Sequence, residues 1–163
     1  MSEPYIRVVV PEEHFTVFRT RRSGLPEIVS VNDALLSFQC SRIFRWHLSV
    51  TIDATDVTED RLPSKNEMDL LYMIGDEIAD VVLGGRTEHN SNNAMILATS
   101  AWDATREVMF QVYDPEIAHA ALQTLLHGKG WPRRWNYRMD DDPDWSNAAS
   151  IFKLFPMAKG NDA

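Results

Sequence analysis

The sequence predicts one α+β domain with an antiparallel sheet of the ferredoxin-like, split βαβ type. Two observations lead to this prediction: several short segments alternate between apolar and polar residues, and apolar stripes with helix-start signals lie between them. From Trp46 onward the predicted order is strand, helix, strand, strand, helix, strand. An N-terminal hairpin is expected to extend the sheet, and a C-terminal helix to pack at its end or edge. The 163 residues are expected to form a single domain (1–163) with an ordered core at residues 5–157.

Strands are predicted where residues alternate in polarity or where β-branched and aromatic residues dominate. The clearest alternation runs from Trp46 to Ile52, where every second residue is apolar and the residues between them are polar. The predicted strands are residues 6–10, 15–20, 28–31, 45–53, 94–101, 106–113 and 133–139. Because successive side chains of a strand point to opposite faces, the sheet is expected to bury one face and expose the other.

Two central helices have clear start signals. Ser64 and Glu67 form a capping box, and apolar residues then recur at spacings of three and four until Gly84. Asp114 followed by Pro115 predicts the start of the second helix, because proline's fixed φ suits the first helical position. Both helices are expected on the same face of the sheet, which leaves the other face free as a candidate binding surface.

The last helix is predicted to begin at Asp142-Pro143 and to end at Pro156. Its apolar stripe starts at Trp145, which is therefore expected to be largely buried.

The composition argues against several classes of protein. The mean hydropathy of −0.29 is that of an ordinary globular protein. The net charge is −8, so the average field repels phosphate backbones, and nucleic-acid binding is disfavoured. No apolar run is long enough to cross a bilayer, and the acidic start does not resemble a signal peptide, so a cytoplasmic location with no membrane partner is expected. The single cysteine, Cys40, excludes an internal disulfide.

No metal or cofactor is expected. The chain lacks a phosphate-binding loop, a Gly-x-Ser-x-Gly elbow and a His-x-x-x-His pair. Cys40 lies close to Arg42 and is interpreted as a small buried hydrophobic residue rather than a reactive thiol. Asp76 and Asp80 lie one helical turn apart and are interpreted as part of a solvated helix face.

Six residues are candidates for binding a ligand or a partner. They are Arg106, Glu107, Asp144, Trp145, Arg138 and His47. Arg106 and Glu107 are consecutive in a predicted strand, so only one of them can point toward a given face of the sheet. Arg106 is expected to be buried and paired with Asp144 or Asp142, which would make it structural; the alternative is a role in ligand binding.

Several short motifs resemble a bacterial family catalogued as domain of unknown function 695. The motifs are Gly24-Leu25-Pro26 before residues 29–32, the Trp46 strand, Leu62-Pro63 before Glu67, Arg106-Glu107 before Phe110, Tyr113-Asp114, residues 142–145, and Leu154-Phe155-Pro156. The resemblance spans about residues 14–156. Members of this family are sometimes fused to a module similar to the bacterial inhibitor of ribonuclease E. The resemblance therefore implies a protein-binding or regulatory role.

Two functional hypotheses follow from the sequence. The first is a non-catalytic interaction or regulatory domain, of the inhibitor or immunity type, whose partner is another protein. The second is a small-ligand-binding protein or hydrolase that uses Arg106, Glu107 and Asp144 with an aromatic residue such as Trp145. Convergence of these side chains in a concave pocket would favour the second hypothesis, and their use in packing would favour the first.

Overall fold

The structure is a computed structural model that describes residues 9–39 and 41–155. Over these residues the chain is an α+β protein with one six-stranded antiparallel sheet and three α-helices. The strands are β1 (Phe15–Arg22), β2 (Leu25–Asn32), β3 (Trp46–Asp53), β4 (Ala94–Trp102), β5 (Thr105–Val112) and β6 (Trp135–Asp141). The helices are α1 (Lys65–Leu83), α2 (Pro115–His127) and α3 (Ser146–Phe152).

The strands lie in the order β1-β2-β4-β5-β3-β6, and every neighbouring pair is antiparallel. Strand β3 lies between β5 and β6, so Thr51 is opposite Glu107 on one side and Asn136 on the other. Because alternate residues share a face, these three polar side chains point to the same side of the sheet. This side is called the second face below, and the side covered by α1 and α2 is called the helix-side face.

Helices α1 and α2 pack on the same face of the sheet, as predicted. The buried side chains that they contribute to the hydrophobic core are Leu71, Ile74, Ile78 and Val82 of α1 and Ala118 and Leu122 of α2. These residues form one core with the apolar positions of β3 and β5, including Leu48, Val50 and Phe110. The predicted caps are also confirmed, since the side chain of Ser64 accepts a hydrogen bond from the Glu67 N–H and that of Asp114 accepts one from the Glu116 N–H.

The second face is not free along its whole length, which corrects the prediction that this face is left uncovered. Helix α3 and two short 3₁₀ segments, Asp33–Ser37 and Ser41–Ile43, cover one end of it. The second buried cluster joins Trp145, Ala148 and Phe155 to Val29, Val31, Leu35, Phe44, Met95, Leu97, Ala98 and Met109. The apolar stripe of the last helix needs an apolar partner, and this end of the second face provides one.

The N-terminal hairpin is present, but its strands are longer than predicted. Ser23 and Gly24 have φ values of 52° and 82°, so the two residues form a tight turn in which both φ angles are positive. Strand β1 therefore continues to Arg22, and Pro26 lies inside β2 instead of in a loop.

Two predicted features fall partly or wholly outside the described residues. Of the predicted strand at residues 6–10, only Val9 and Val10 are described, and they are not in a strand. Cys40 also lies outside the described part of the chain. Among the helices of residues 9–39 and 41–155, none has the length and hydropathy needed to span a membrane.

Candidate functional site: a polar groove on the second sheet face

Where α3 does not cover it, the second face carries a polar groove of about 310 Å³, called the sheet-face groove below. Its lining residues are Arg22, Ser49, Thr51, Trp102, Thr105, Glu107, Asn136 and Arg138. The local sequence explains this polarity, since Leu48 and Val50 face the core while Ser49 and Thr51 lie between them on the other face. The register places Thr51 opposite Glu107 of β5 and Asn136 of β6, and it places Ser49 opposite Arg138 of β6.

One wall of the sheet-face groove is held by Trp102 and its neighbours. The indole Nε1 of Trp102 donates a hydrogen bond to the Arg22 carbonyl at 2.8 Å, and the Arg22 guanidinium lies 3.7 Å from the centre of the indole ring. The same guanidinium lies 3.3 Å from the carboxylate of Glu27, which also accepts a hydrogen bond from Ser100 Oγ at 2.5 Å. This wall is therefore fixed by a cation–π contact, an ion pair and two hydrogen bonds.

Glu107 is the carboxylate of the sheet-face groove. It accepts a hydrogen bond from Ser49 Oγ, and no Lys, Arg or His nitrogen of the described residues lies within 4.0 Å of it. The arginines in and beside the groove have other carboxylate partners. These pairs are Arg22–Glu27 at 3.3 Å, Arg134–Asp53 at 3.5 Å and Arg138–Asp140 at 3.5 Å. Glu107 is therefore a carboxylate of the groove that takes no part in these ion pairs.

Arg106 lies on the helix-side face, opposite to Glu107. Its guanidinium carbon is 4.5 Å from the centre of the Tyr72 ring, and its Nε packs against Gly75 of α1. This Nε is buried and has no hydrogen-bond partner in the described structure. Burial lowers the pKa of Arg106, and the nearby Tyr72 and Asp76 oppose that effect.

The predicted pairing of Arg106 with Asp142 or Asp144 is wrong. Although burial opposes it, hydrogen bonds from the Asn147 and Ser146 N–H groups lower the pKa of Asp142, whose carboxylate caps α3. Asp144 is exposed and follows the end of β6 that pairs with Trp46, whereas Arg106 is opposite Ile52 at the other end of β3. The alternation of β5 and the length of β3 therefore keep Arg106, Glu107 and Asp144 apart.

His47 and Trp145 lie on the second face beneath α3, outside the sheet-face groove. A hydrogen bond of 2.8 Å joins His47 Nδ1 to Gln111 Oε1, and Gln111 Nε2 donates to the Phe44 carbonyl at 3.3 Å. The indole Nε1 of Trp145 donates to the same carbonyl at 2.8 Å. Trp145 is 7% exposed, which confirms its predicted burial. The structure thus uses both side chains in packing.

Of the six candidate residues, Glu107 and Arg138 line the sheet-face groove. The remaining lining residues were not predicted as site residues. The polar face of the predicted strand at residues 45–53 was a usable signal for Ser49 and Thr51. Within the described residues, no cluster of three or more His, Cys, Asp or Glu side chains is suited to holding a metal ion.

The fold and the groove define an α+β protein whose antiparallel sheet is covered by helices on one face and exposes a charged groove on the other. Residues 13–148 match a family of unknown function, DUF695, and the chain belongs to that family. No curated protein and no solved structure matches the chain.

Proposed function

We propose that this protein is a non-catalytic interaction domain that binds another protein through the sheet-face groove. The observation that carries the proposal is Glu107, a carboxylate of the open sheet face with a hydroxyl partner and no cation partner among the described residues. A carboxylate usually accepts several hydrogen bonds or an ion pair when its surroundings are complete. Glu107 therefore has acceptor capacity that a partner can use.

The charge of the chain supports the same proposal. A net charge of −8 attracts a basic partner and speeds its association at low ionic strength. An inhibitory or immunity-type role toward a basic protein agrees with this charge. We include a bacterial cytoplasmic location in the proposal, supported by the single cysteine, since disulfides are rare in that compartment.

The alternative of a hydrolase or small-ligand site built from Arg106, Glu107 and Asp144 has less support. Arg106 packs under α1, Glu107 lines the groove, and Asp144 follows β6 near α3. A reaction that needed all three side chains would require them to converge on one substrate.

We also propose that β3, α1, β4, β5, α2 and β6 form a split βαβ unit. The strand order β4-β5-β3-β6 supports this assignment, because the first and third strands of such a unit are its two central ones. An experimental structure in which β5 did not lie between β4 and β3 would contradict it.

The interaction can be tested by photo-crosslinking in the native host. A photoreactive amino acid at Asn136, which is exposed in the groove, is compared with the same amino acid at Glu116, which is exposed in the first turn of α2. We expect a defined protein to be captured from position 136 and not from position 116, with less capture when Glu107→Gln is added. Equal capture from both positions, or none from position 136, would contradict the proposed function.

A further inference from the structure

We infer that the sheet-face groove recognises a single basic side chain of its partner, an arginine, whose guanidinium pairs with Glu107. This inference rests on the proposed function and specifies the chemistry of the same site. It starts from the ion pairs in and beside the groove, where Arg22, Arg134 and Arg138 each have a carboxylate partner. Glu107 has no cation partner in the described part of the chain. One positive charge would complete the pairing.

The register of the sheet gives this cation a defined position. Thr51 lies directly between Glu107 and Asn136 in one row across β5, β3 and β6. Neighbouring strands are about 4.8 Å apart, so the backbones of the two outer residues are about 10 Å apart. Their longer side chains can reach inward above Thr51, and a group bound there can contact acceptors from all three strands.

A guanidinium suits this position better than an ammonium. It is planar and has five N–H donors, so it can lie along the row and donate to the Glu107 carboxylate, the Thr51 hydroxyl and the Asn136 amide oxygen together. An ammonium group is a compact point charge and would satisfy fewer of these acceptors at once. The Ser49 hydroxyl already donates to Glu107, which holds the carboxylate in place for the incoming group.

An anionic group is less suited to the groove. Arg22 is already engaged by Glu27 and by the Trp102 ring, and Arg138 is paired with Asp140. An anion would have to compete with those carboxylates while lying close to the negative charge of Glu107.

The test is an NMR titration of the isotopically labelled full chain with N-acetyl-arginine methylamide. The citrulline analogue has nearly the same shape without the charge, and the glutamate analogue has the opposite charge. We expect the arginine compound to bind weakly, with a dissociation constant on the order of millimolar because the site is exposed. The shifted amides should lie around Thr51, Glu107 and Asn136, and neither analogue should produce the same shifts.

Variants then identify the group responsible. Glu107→Gln should weaken arginine binding roughly tenfold or more, since the bond lost is a charge-assisted one. Glu116→Gln removes the same charge from the exposed first turn of α2 and should leave binding unchanged. Asn136→Ala, at an exposed position, should weaken binding severalfold and gives a second measurement if Glu107→Gln disturbs the amide spectrum.

Three outcomes would overturn the inference: equal shifts with citrulline, binding of the glutamate analogue at this site, or unchanged arginine binding in Glu107→Gln. The two proposals can fail separately. Groove-specific crosslinking without an arginine response would leave the interaction surface in place and remove the arginine. An arginine response without groove-specific crosslinking would support the recognised chemistry and contradict the proposed protein partner.

Discussion

The two ends of the second sheet face use the same strands for different purposes. At the closed end, beneath α3, His47 of β3 is opposite Gln111 of β5, and both are buried and hydrogen-bonded within the protein. Four residues along the same strands, Thr51 is opposite Glu107 in the sheet-face groove. The strands alternate in the same way at both ends. The difference between the buried polar residues of one end and the accessible ones of the other is therefore due to α3, which covers only the first. Polar side chains on a sheet face are available for binding only where no element packs over them.

A similar contrast separates two carboxylates. Glu67 is 3% exposed and receives two hydrogen bonds from the Arg133 guanidinium, at 2.7 and 2.8 Å, and one from the Thr55 N–H at 2.6 Å. The Arg133 hydrogen bonds are the main reason that the pKa of Glu67 falls to about 2. Glu107 has a single hydroxyl donor from Ser49. The hydrogen-bonding and charge requirements of the Glu67 carboxylate are met within the protein, whereas the Glu107 carboxylate can accept further donors.

The largest expected effect is at the closed end. Trp145→Ala should reduce the free energy of unfolding by about 3 to 5 kcal/mol, because it removes a buried indole and leaves a cavity. Tyr113→Ala is a suitable control, since that aromatic side chain is 48% exposed and its loss should cost about 1 kcal/mol or less. Urea denaturation of both variants measures the difference. Equal small losses would show that α3 contributes little to stability and that the closed end resembles the open one.

The second largest effect on stability is expected from the ion pair between Glu67 and Arg133. The pKa of Glu67 is about 2 in the folded protein against an ordinary value of 4.5, so the stabilisation is complete above about pH 4.5 and is lost as the pH falls toward 2. The full difference between these two pKa values corresponds to roughly 3 kcal/mol in the free energy of unfolding.

Glu67→Gln should therefore be less stable than the wild type by about 3 kcal/mol at pH 7. The difference in free energy of unfolding should narrow by about 2 kcal/mol at pH 3, because Glu67 of the wild type then loses most of the stabilisation that its ionised form provides. Urea denaturation at both pH values measures it, and the other acidic groups titrate alike in the two proteins. A difference that stayed constant with pH would mean that the ion pair is not the source of the stabilisation.

Arg106 is expected to contribute through its packing more than through its charge. Arg106→Ala removes the side chain that lies against Tyr72 and Gly75 and should cost about 1 to 3 kcal/mol. Arg106→Met keeps much of that packing and removes a buried Nε that has no hydrogen-bond partner in the described structure, so it should be neutral within about 1 kcal/mol or stabilising. Thermal melts of the two variants test this. If the methionine variant were as unstable as the alanine variant, the charge itself would be important.

Local features of the fold could be predicted from the sequence because their causes are local. The Ser64 and Asp114 caps and the alternation of β3 depend on residues that are close in the chain. The alternation also predicted that Arg106 and Glu107 face opposite sides, but it could not decide which one faces the core. That depends on the pairing of β5 with β3, in which Ser49 and Glu107 are 58 residues apart. The position of α3 depends in the same way on distant apolar partners such as Val31 and Met109.

The smallest expected effect on stability is that of Glu107→Gln. Its one hydroxyl partner survives the change to an amide, and no ion pair within the described residues is lost, so the free energy of unfolding should change by less than about 1 kcal/mol. The same variant should lose most of its crosslinking at position 136 and most of its arginine binding. Chemical denaturation, measured beside the two binding assays, separates these effects. If Glu107→Gln cost as much stability as Glu67→Gln, Glu107 would be a structural carboxylate like Glu67, and the open end of the second face would be scaffold as well.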